Sequence, residues 1–199
     1  MKRIVASVTD KSHLRELEAL TNTGEWEIIS TGGTLRKLEE LGIPCTHIEK
    51  ITHFPEMLDG RVKTLHPNIF GGILADRSKP DHLAALAEHG IGLVDLVVVN
   101  LYNFAAKPSI DEIDIGGPSL LRAAAKNGAS IAAVVDPTNY GWVVTELLAR
   151  GSLTEDSREI LAFEVFEQTS LYDAAIAEWM RRKSQRGEHF LNPTNASGH

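Results

Sequence analysis

The sequence is poor in cysteine and has no long apolar segment, and both features narrow its class. Cys45 is the single cysteine among 199 residues, which excludes an intrachain disulfide and is typical of a reducing compartment. The N-terminal stretch MKRIVASVTDK has too short an apolar run for a signal peptide. No apolar run approaches the length of a membrane span. We therefore expect a cytoplasmic protein that has no membrane partner.

An excess of basic residues is also missing. The chain has 20 Lys and Arg residues against 27 Asp and Glu residues, and its formal net charge is −7. Such a surface repels the phosphates of nucleic acids over most of its area, so we expect no nucleic-acid partner. A small anion remains a suitable ligand if the few cations gather in one cleft.

Several motifs that indicate a metal or a nucleotide cofactor are absent. The eight histidines are scattered, and none has the close spacing to Cys or another His that a zinc site requires. The chain has no Walker lysine motif, no dinucleotide-binding G-x-G-x-x-G and no nucleophile elbow. The sequence therefore predicts no metal site.

The sequence does contain an alternation of strand patterns and helical patterns. Strands are predicted at RIVASV, WEIIS, LVDLVVVNLY and SIAAVVD, and a further one at CTHIEKI. The continuous apolar run LVVV is typical of a strand that is buried on both faces of a parallel sheet. The alternation predicts an α/β fold with three layers, α/β/α, around a mostly parallel sheet.

Helices are predicted between these strands. The first covers TDKSHLRELEAL, with Thr9 or Asp10 as its N-cap. Others are predicted at LRKLEEL, DHLAALAEHG, GGPSLLRAAAKNG and YGWVVTELLARG. A last helix begins near SLTEDSREIL, where Ser152 and Glu155 have the spacing of a capping box, and continues to about Arg182. This C-terminal helix is expected to pack alongside the sheet.

Two parts of the chain have weaker patterns. FGGILA is compatible with a strand or with the start of a buried helix. The last residues, GEHFLNPTNASGH, have no periodicity. We expect one domain over residues 1–186 and a disordered tail over residues 187–199.

The segment STGGT follows the second predicted strand and resembles an anion-binding loop. Gly32 and Gly33 let the backbone approach a ligand closely. The helix that follows directs its free N–H groups and the positive end of its dipole at this loop. The arrangement suits a phosphate, although a plain strand-to-helix turn with a Thr cap explains the same residues.

Charged and phenolic side chains lie near other predicted strand ends. Arg61 and Lys63 are two residues apart, so an extended loop directs both to one side. Asp114 precedes a helix, where an acid caps the helix or exchanges protons with a ligand. Tyr102 ends the longest strand as a core residue or a proton donor. Each of these residues also has a purely structural interpretation. Arg61 and Lys63 are then solvated surface cations, and Asp114 is only a helix cap. Lys126, in the last turn of the same helix, is then a cation favoured by the helix dipole.

Five segments occur in an order that resembles one known family. They are SVTDK, STGGT, FPEMLDGRVKTLHP, VVVNLY and IDIGGPSLLRAAAKN. Together they resemble the IMP cyclohydrolase part of the bifunctional purine biosynthesis family, whose members also carry a formyltransferase domain. The resemblance extends from Ile4 to Tyr172. It implies a methylglyoxal-synthase-like fold, in agreement with the layers predicted above.

The resemblance implies an enzyme that closes 5-formamidoimidazole-4-carboxamide ribonucleotide (FAICAR) to inosine monophosphate (IMP), with loss of water. The ligand is then a purine nucleotide, and no redox or metal cofactor is required. The matched motifs imply the catalytic residues Lys63, Tyr102, Asp114 and Lys126, the last as proton donor and acceptor. The substrate-binding residues that they imply are Ser7, Thr9, Asp10, Lys11, Thr31, Gly32, Gly33, Thr34, Arg61, Thr64, Asn100, Ile115, Gly116 and Gly117.

The chain also departs from the family pattern. Asn103 replaces a proline, the segment from Phe104 to Ile113 is shorter, and Phe70 stands where the family often has His. No formyltransferase domain follows within these 199 residues, so the chain is either a domain excised from a longer protein or a free-standing cyclohydrolase. A free-standing enzyme needs a separate AICAR formyltransferase as its metabolic partner. The sequence is compatible with a homodimer but does not determine the oligomeric state.

The positions of two implied catalytic residues are hard to reconcile. If residues 116–126 form one straight helix, the Cα atoms of Gly116 and Lys126 lie about 15 Å apart. A lysine side chain reaches less than half of that distance. Asp114 and Lys126 therefore meet only if the helix is short or bent, or if the ligand lies along it.

Two other functions are compatible with the same segments. Methylglyoxal synthesis from a triose phosphate explains the phosphate loops but not a site broad enough for a nucleotide. A non-catalytic nucleotide-sensing module of the same fold predicts binding without turnover. The joint presence of Lys63, Tyr102, Asp114 and Lys126 argues against this second alternative.

Overall fold

The computed structural model of the chain describes residues 1–58 and 62–191, with side chains as far as Gln185. Five strands form one sheet, and every pair of neighbouring strands is parallel. Their order across the sheet is β3-β2-β1-β4-β5. The strands are β1 Lys2–Val8, β2 Trp26–Ser30, β3 Cys45–His47, β4 Leu96–Asn100 and β5 Ala132–Val134. The predicted α/β class is confirmed.

Helices cover both faces of this sheet. The α-helices of the described ranges are α1 Glu18–Thr21, α2 Gly32–Glu40, α3 Glu49–Thr52, α4 Pro67–Leu74, α5 Pro80–Glu88, α6 Gly116–Lys126, α7 Tyr140–Arg150 and α8 Glu155–Leu191. Short 3-10 turns occur at Leu14–Leu17, Phe104–Ala106 and Pro137–Asn139.

Alternate side chains of the central strands enter two separate cores. Val98 of β4 packs in a cluster with apolar residues of α1, α2 and α7, whereas its neighbour Val97 packs with residues of α4 and α6. Both valines are fully buried, as the apolar run of this strand predicts. The long helix α8 packs along α6 and against β5. The three predicted layers and the C-terminal helix are therefore confirmed.

The chain after β1 differs from the predicted helix. Residues Leu14–Leu17 form a 3-10 turn, and α1 adds only one further helical turn. Neither Thr9 nor Asp10 caps a helix, because the Asp10 carboxylate accepts a hydrogen bond from the Ser12 N–H at 2.9 Å and closes a local turn. The prediction of an N-cap at these two residues is therefore wrong.

Two further elements are now defined. The predicted strand CTHIEKI contains a three-residue strand, β3, after which the chain turns into α3. FGGILA belongs to the buried helix α4. The His66 ring accepts a hydrogen bond from the Asn68 N–H at 3.1 Å, and Pro67 occupies the first turn. His66 and Pro67 therefore brace the loop that leads into α4.

The beginning and the end of α8 also differ from prediction. Thr154, rather than Ser152, accepts the N-terminal hydrogen bond, from the Ser157 N–H at 3.2 Å. The helix continues past Arg182 to Leu191. The tail predicted for residues 187–199 thus begins within α8, and residues 192–199 lie outside the described part of the chain. No helix of that part is long and apolar enough to cross a membrane.

Candidate active site

A cleft of about 600 Å³ lies at the carboxyl edge of the sheet. The polar segments that follow parallel strands meet at this edge, where open α/β sheets bind ligands. The cleft is lined by Ser7, Lys63, Thr64, Tyr102, Ile110, Asp111, Glu112, Ile113, Asp114, Ile115, Gly116, Gly117 and Met180. Eight of these are residues that the family motifs imply for the site, so the structure brings much of the predicted set together.

The N-terminus of α2 provides a place for an anion beside this cleft. Gly32 has a φ of +55°, a left-handed conformation that favours glycine. Thr31 is only 3% exposed, and its hydroxyl has no hydrogen-bond partner among the described residues. A buried hydroxyl without a partner costs about 1–3 kcal/mol. This hydroxyl and the free N–H groups of the first helical turn are therefore suited to bind an oxyanion.

Two lysine side chains approach this helix terminus from different loops. A Cβ atom at Gly32 would lie 3.1 Å from the Lys63 ammonium nitrogen, and one at Gly33 would lie 3.9 Å from that of Lys11. The Lys11 ammonium also donates a hydrogen bond to the Thr9 carbonyl at 3.0 Å. The two cations and the positive end of the α2 dipole together favour a phosphate at this position.

Lys63 also belongs to the main cleft, where it has an acidic partner. Its ammonium nitrogen lies 3.7 Å from a Glu56 carboxylate oxygen, and its side chain is 25% exposed. The Glu56 N–H donates to the Glu49 carboxylate at 2.8 Å, which fixes the backbone of this segment. Lys63 therefore lies beside both the anion-binding terminus of α2 and the Glu56 carboxylate.

Asn100 and Thr34 support the site through contacts within the protein. The Asn100 side-chain oxygen accepts hydrogen bonds from the N–H groups of Thr9 and Asp10, at 2.7 and 2.9 Å. Its amide nitrogen donates to the Asp10 carbonyl at 2.9 Å. The Thr34 hydroxyl bonds both the N–H and the carbonyl of Val8. The side chains of these two residues thus hold the loop after β1, and their predicted contact with substrate stays a prediction.

The Asp10 carboxylate itself projects to the surface. The hydrogen bond from the Ser12 backbone N–H lowers the pKa of Asp10 below its ordinary value of 3.8. Asp10 is therefore ionised at neutral pH. The loop from Thr9 to Lys11 contributes none of the residues that line the cleft.

Asp114 stands at the mouth of α6 and lines the same cleft as Lys63. Its carboxylate accepts a hydrogen bond from the Gly117 N–H at 3.0 Å, so the residue does cap the helix. A Cβ atom at Gly117 would lie 2.3 Å from that carboxylate, and one at Gly116 would lie 2.8 Å from the Thr64 hydroxyl oxygen. The two glycines therefore allow Asp114 and Thr64 to pack against the start of α6.

Tyr102 follows β4 and lines the same cleft. Burial raises the pKa of the Tyr102 phenol well above its ordinary value of 10.0, and the neighbouring Tyr172 hydroxyl raises it further. The phenol is therefore neutral at physiological pH and can donate a hydrogen bond or a proton. Tyr172 belongs to α8, and its ring meets that of Tyr102 edge-on at a centroid distance of 6.2 Å.

Lys126 does not reach this cleft. It is the last residue of α6, is exposed, and lies ten residues from Gly116, which corresponds to about 15 Å along a straight helix. The adjacent Asn127 amide donates to the carbonyls of Ile73 and Ala75 at the end of α4. Within one chain α6 therefore separates Lys126 from Asp114, and the implied role of Lys126 as proton donor and acceptor stays a prediction.

Other predicted and unpredicted residues complete the site. Arg61 is outside the described residues, so its placement stays a prediction. Ile115 is 59% exposed and presents apolar surface in the cleft. Glu56 lies within the matched segment FPEMLDGRVKTLHP but was not predicted as a site residue, and neither was Met180. A surface acid and an amphipathic helix give no local signal of a ligand site. No three His, Cys, Asp or Glu side chains of the described ranges gather as metal ligands.

Two known family profiles match this chain. The MGS-like domain matches residues 14–132, and the AICARFT/IMPCHase bienzyme matches residues 124–198. Because the first match covers more than half of the chain and agrees with its fold, the chain belongs to the MGS-like domain family. The second match relates its C-terminal part to the bifunctional enzymes of purine biosynthesis, which confirms the resemblance seen in the motifs.

Individual relatives of this chain are purine biosynthesis proteins. The bifunctional purine biosynthesis protein PurH of Listeria welshimeri is 52% identical over 192 residues, which are 92% of this chain and 38% of that protein. PurH of Streptococcus suis is 50% identical over 192 residues, 92% of this chain and 37% of that protein. The chain thus spans less than two fifths of these relatives.

A solved structure gives the same fold. The crystal structure of ForH matches with a TM-score of 0.81 and 34% sequence identity. The match covers 89% of this chain and 97% of the ForH chain. The three-layer arrangement of this chain is therefore also found in an experimentally determined relative.

Proposed function

We propose that this chain is an IMP cyclohydrolase, which closes the ring of FAICAR to form IMP and water. The observation that carries the proposal is the cleft in which a Lys63 ammonium, a neutral Tyr102 phenol and an Asp114 carboxylate line one space. The adjoining terminus of α2 suits the phosphate of a nucleotide. Relatives about half identical to this chain are purine biosynthesis proteins, which supports a nucleotide substrate.

The proposed reaction forms one bond and eliminates one water molecule. The carboxamide nitrogen attacks the formyl carbon and gives up one proton, and the formamide nitrogen gives up another. Both protons leave with the formyl oxygen as water. The two reacting groups belong to one molecule, so holding the reactive conformer lowers the barrier substantially.

Each side chain of the cleft has a role in this proposal. Lys63 stabilises the negative charge that develops on the formyl oxygen. Tyr102, whose phenol is neutral at physiological pH and lines the cleft, donates a proton to that oxygen. Asp114 accepts a proton from the attacking nitrogen. Arg61, which the family motif implies, would orient the substrate from the loop beside Lys63.

The volume of the cleft favours a nucleotide over a triose phosphate. Its volume of about 600 Å³ lies within the range of sites for drug-sized ligands. A triose phosphate would leave most of this space to water. Methylglyoxal synthesis is therefore the weaker candidate. The proposal includes a cytoplasmic location, from the single cysteine, and a formyltransferase that supplies the substrate.

The first test is to mix the purified chain with FAICAR and to follow IMP by absorbance. We expect turnover, and a Lys63→Met variant should lose about 10²–10³-fold in kcat, the effect of removing one oxyanion donor. The matched variant Lys126→Met removes an exposed lysine at the far end of α6 and should retain the wild-type rate. Binding of IMP without any turnover of FAICAR would favour a nucleotide-sensing module instead. Equal loss in both variants would refute the assigned roles.

A further inference from the structure

Tyr172 of α8 contacts two parts of the active site that come from different segments. It is 6% exposed, and its ring meets the Tyr102 ring edge-on at 6.2 Å and the Phe104 ring at 6.1 Å. The segment with Tyr102 and Phe104 follows β4 and leaves the sheet at the mouth of the cleft. Tyr172 therefore packs beneath the proton donor of the proposed reaction.

The hydroxyl of Tyr172 also bonds to the loop before α6. It accepts a hydrogen bond from the Asp114 N–H at 2.8 Å and donates one to the Glu112 carbonyl at 3.3 Å. Both partners are backbone groups on either side of Ile113. One phenol hydroxyl thus fixes the position of three consecutive residues that line the cleft.

The loop before α6 is shaped by hydrogen bonds within itself. The N–H groups of Glu112 and Ile113 bond three residues back, to the carbonyls of Ser109 and Ile110, both at 3.3 Å, and the Glu112 N–H also bonds the Ser109 hydroxyl at 3.3 Å. Such local bonds shape a turn but do not anchor it to the rest of the molecule. The Tyr172 hydroxyl connects the turn to a helix that packs on α6 and β5.

We propose that Tyr172 is a positioning residue for the ring-closing chemistry and sets the distance between the Asp114 carboxylate and the Tyr102 phenol. This inference rests on the proposed function. Tyr172 touches Tyr102 through its ring and Asp114 through its hydroxyl, so it can hold both in one geometry. Small displacements of reacting groups are costly in rate, because rates depend on productive alignment.

The test compares the wild-type chain with Tyr172→Phe, which keeps the ring and removes only the hydroxyl. We expect kcat for FAICAR to fall about tenfold, which corresponds to about 1.4 kcal/mol of barrier, while KM changes less than about threefold. Amide hydrogen exchange at Asp114 should become faster in the variant. This split between kcat and KM separates a positioning role from a general loss of stability.

Thr169→Val serves as the control, since it removes another buried hydroxyl from α8. The Thr169 side chain is 1% exposed and donates to the Phe166 carbonyl of its own helix at 3.3 Å. The Thr169→Val variant should retain the wild-type kcat. A Tyr172→Phe variant with an unchanged kcat, or with a raised KM alone, overturns the inference. A wild-type chain that does not turn over FAICAR overturns the proposed function, and the inference with it.

Discussion

Thr31 and Thr34 are two buried threonines at the start of α2, and their hydroxyls differ in hydrogen bonding. The Thr34 hydroxyl bonds the N–H and the carbonyl of Val8, at 2.8 and 3.0 Å. The Thr31 hydroxyl has no partner in the described part of the chain. A hydroxyl that is left unpaired in the ligand-free chain is expected to gain its hydrogen bond only when a ligand binds.

Replacing each threonine by valine should therefore have opposite consequences. Thr31→Val removes an unpaired hydroxyl, so the ligand-free chain should be as stable as the wild type or more stable by up to about 1 kcal/mol. Its affinity for IMP should fall about tenfold. Thr34→Val should instead lose about 1–3 kcal/mol of stability, because the polar groups of Val8 lose their partner. Thermal unfolding with and without IMP measures both effects. Destabilisation by Thr31→Val would contradict the assignment.

Gly117 is required because the Asp114 carboxylate occupies the place of a side chain. An added Cβ atom would lie 2.3 Å from the carboxylate oxygen and 3.3 Å from Val99. We expect Gly117→Ala to displace Asp114, to lower kcat more than tenfold, and to cost about 1–3 kcal/mol of stability. Steady-state rates and denaturant unfolding measure these effects.

Gly71→Ala is the matched control for this substitution. Gly71 is also helical, but its added Cβ atom would meet only flexible side-chain atoms, of Ile91 and Leu86, at 3.3–3.4 Å. Alanine also has the higher helix propensity. The control should therefore retain the wild-type kcat. A Gly117→Ala variant with normal kcat would show that the position of Asp114 is not critical.

At the scale of elements, Asn100 joins β4 to the loop after β1 and to α7. It is 6% exposed, and besides its bonds to Thr9 and Asp10 its amide nitrogen contacts the Tyr140 hydroxyl at 3.3 Å. Asn100→Ala leaves two backbone N–H groups without their acceptor, at a cost of about 2–3 kcal/mol. The loop that carries Lys11 then loses its anchor, so KM for FAICAR should rise more than kcat falls.

Asn127→Ala tests whether this effect is specific to the carboxyl edge. The Asn127 amide likewise bonds two backbone groups, the carbonyls of Ile73 and Ala75, but at the far end of α6. Asn127→Ala should lose about as much stability in denaturant unfolding as Asn100→Ala, but its KM for FAICAR should be unchanged. A similar rise in KM for both variants would mean that Asn100 acts only through global stability.

At the scale of the whole molecule, sequence patterns predicted the structure correctly wherever one physical cause determined it. The apolar run of β4 must be buried on both faces, and the Gly-rich start of α2 must follow a strand, so both were predictable. Whether Lys126 lies near the carboxyl edge of the sheet depends on the length and direction of α6, which the local sequence does not determine. The role of Tyr172 depends on which side α8 presents to a loop 60 residues away in sequence. Such long-range contacts leave no local pattern.

The stability of the whole molecule should also depend on a carboxylate that links α7 to α8. Glu146 accepts hydrogen bonds from the Thr154 N–H and the Ser157 hydroxyl, both at 2.7 Å. The bond from the Thr154 backbone N–H, followed by that from Ser157, lowers the pKa of Glu146 below its ordinary value of 4.5. A carboxylate with a lowered pKa stabilises the fold fully above pH 4.5, and this stabilisation is lost as the pH falls through the folded-state pKa.

We therefore expect Glu146→Gln to have a lower melting temperature than the wild type at pH 7. As the pH falls below 4.5, the melting temperature of the variant should decrease less than that of the wild type. The curves of melting temperature against pH for the wild type and for Glu146→Gln should converge at low pH, because the protonated Glu146 of the wild type no longer contributes its charge. Calorimetry from pH 3 to pH 7 measures both curves over about the range in which carboxylates titrate. The control Glu159→Gln changes an exposed acid of α8, so it removes a charge without breaking this link between α7 and α8. Parallel curves for wild type and Glu146→Gln would show that the link does not depend on ionisation of Glu146.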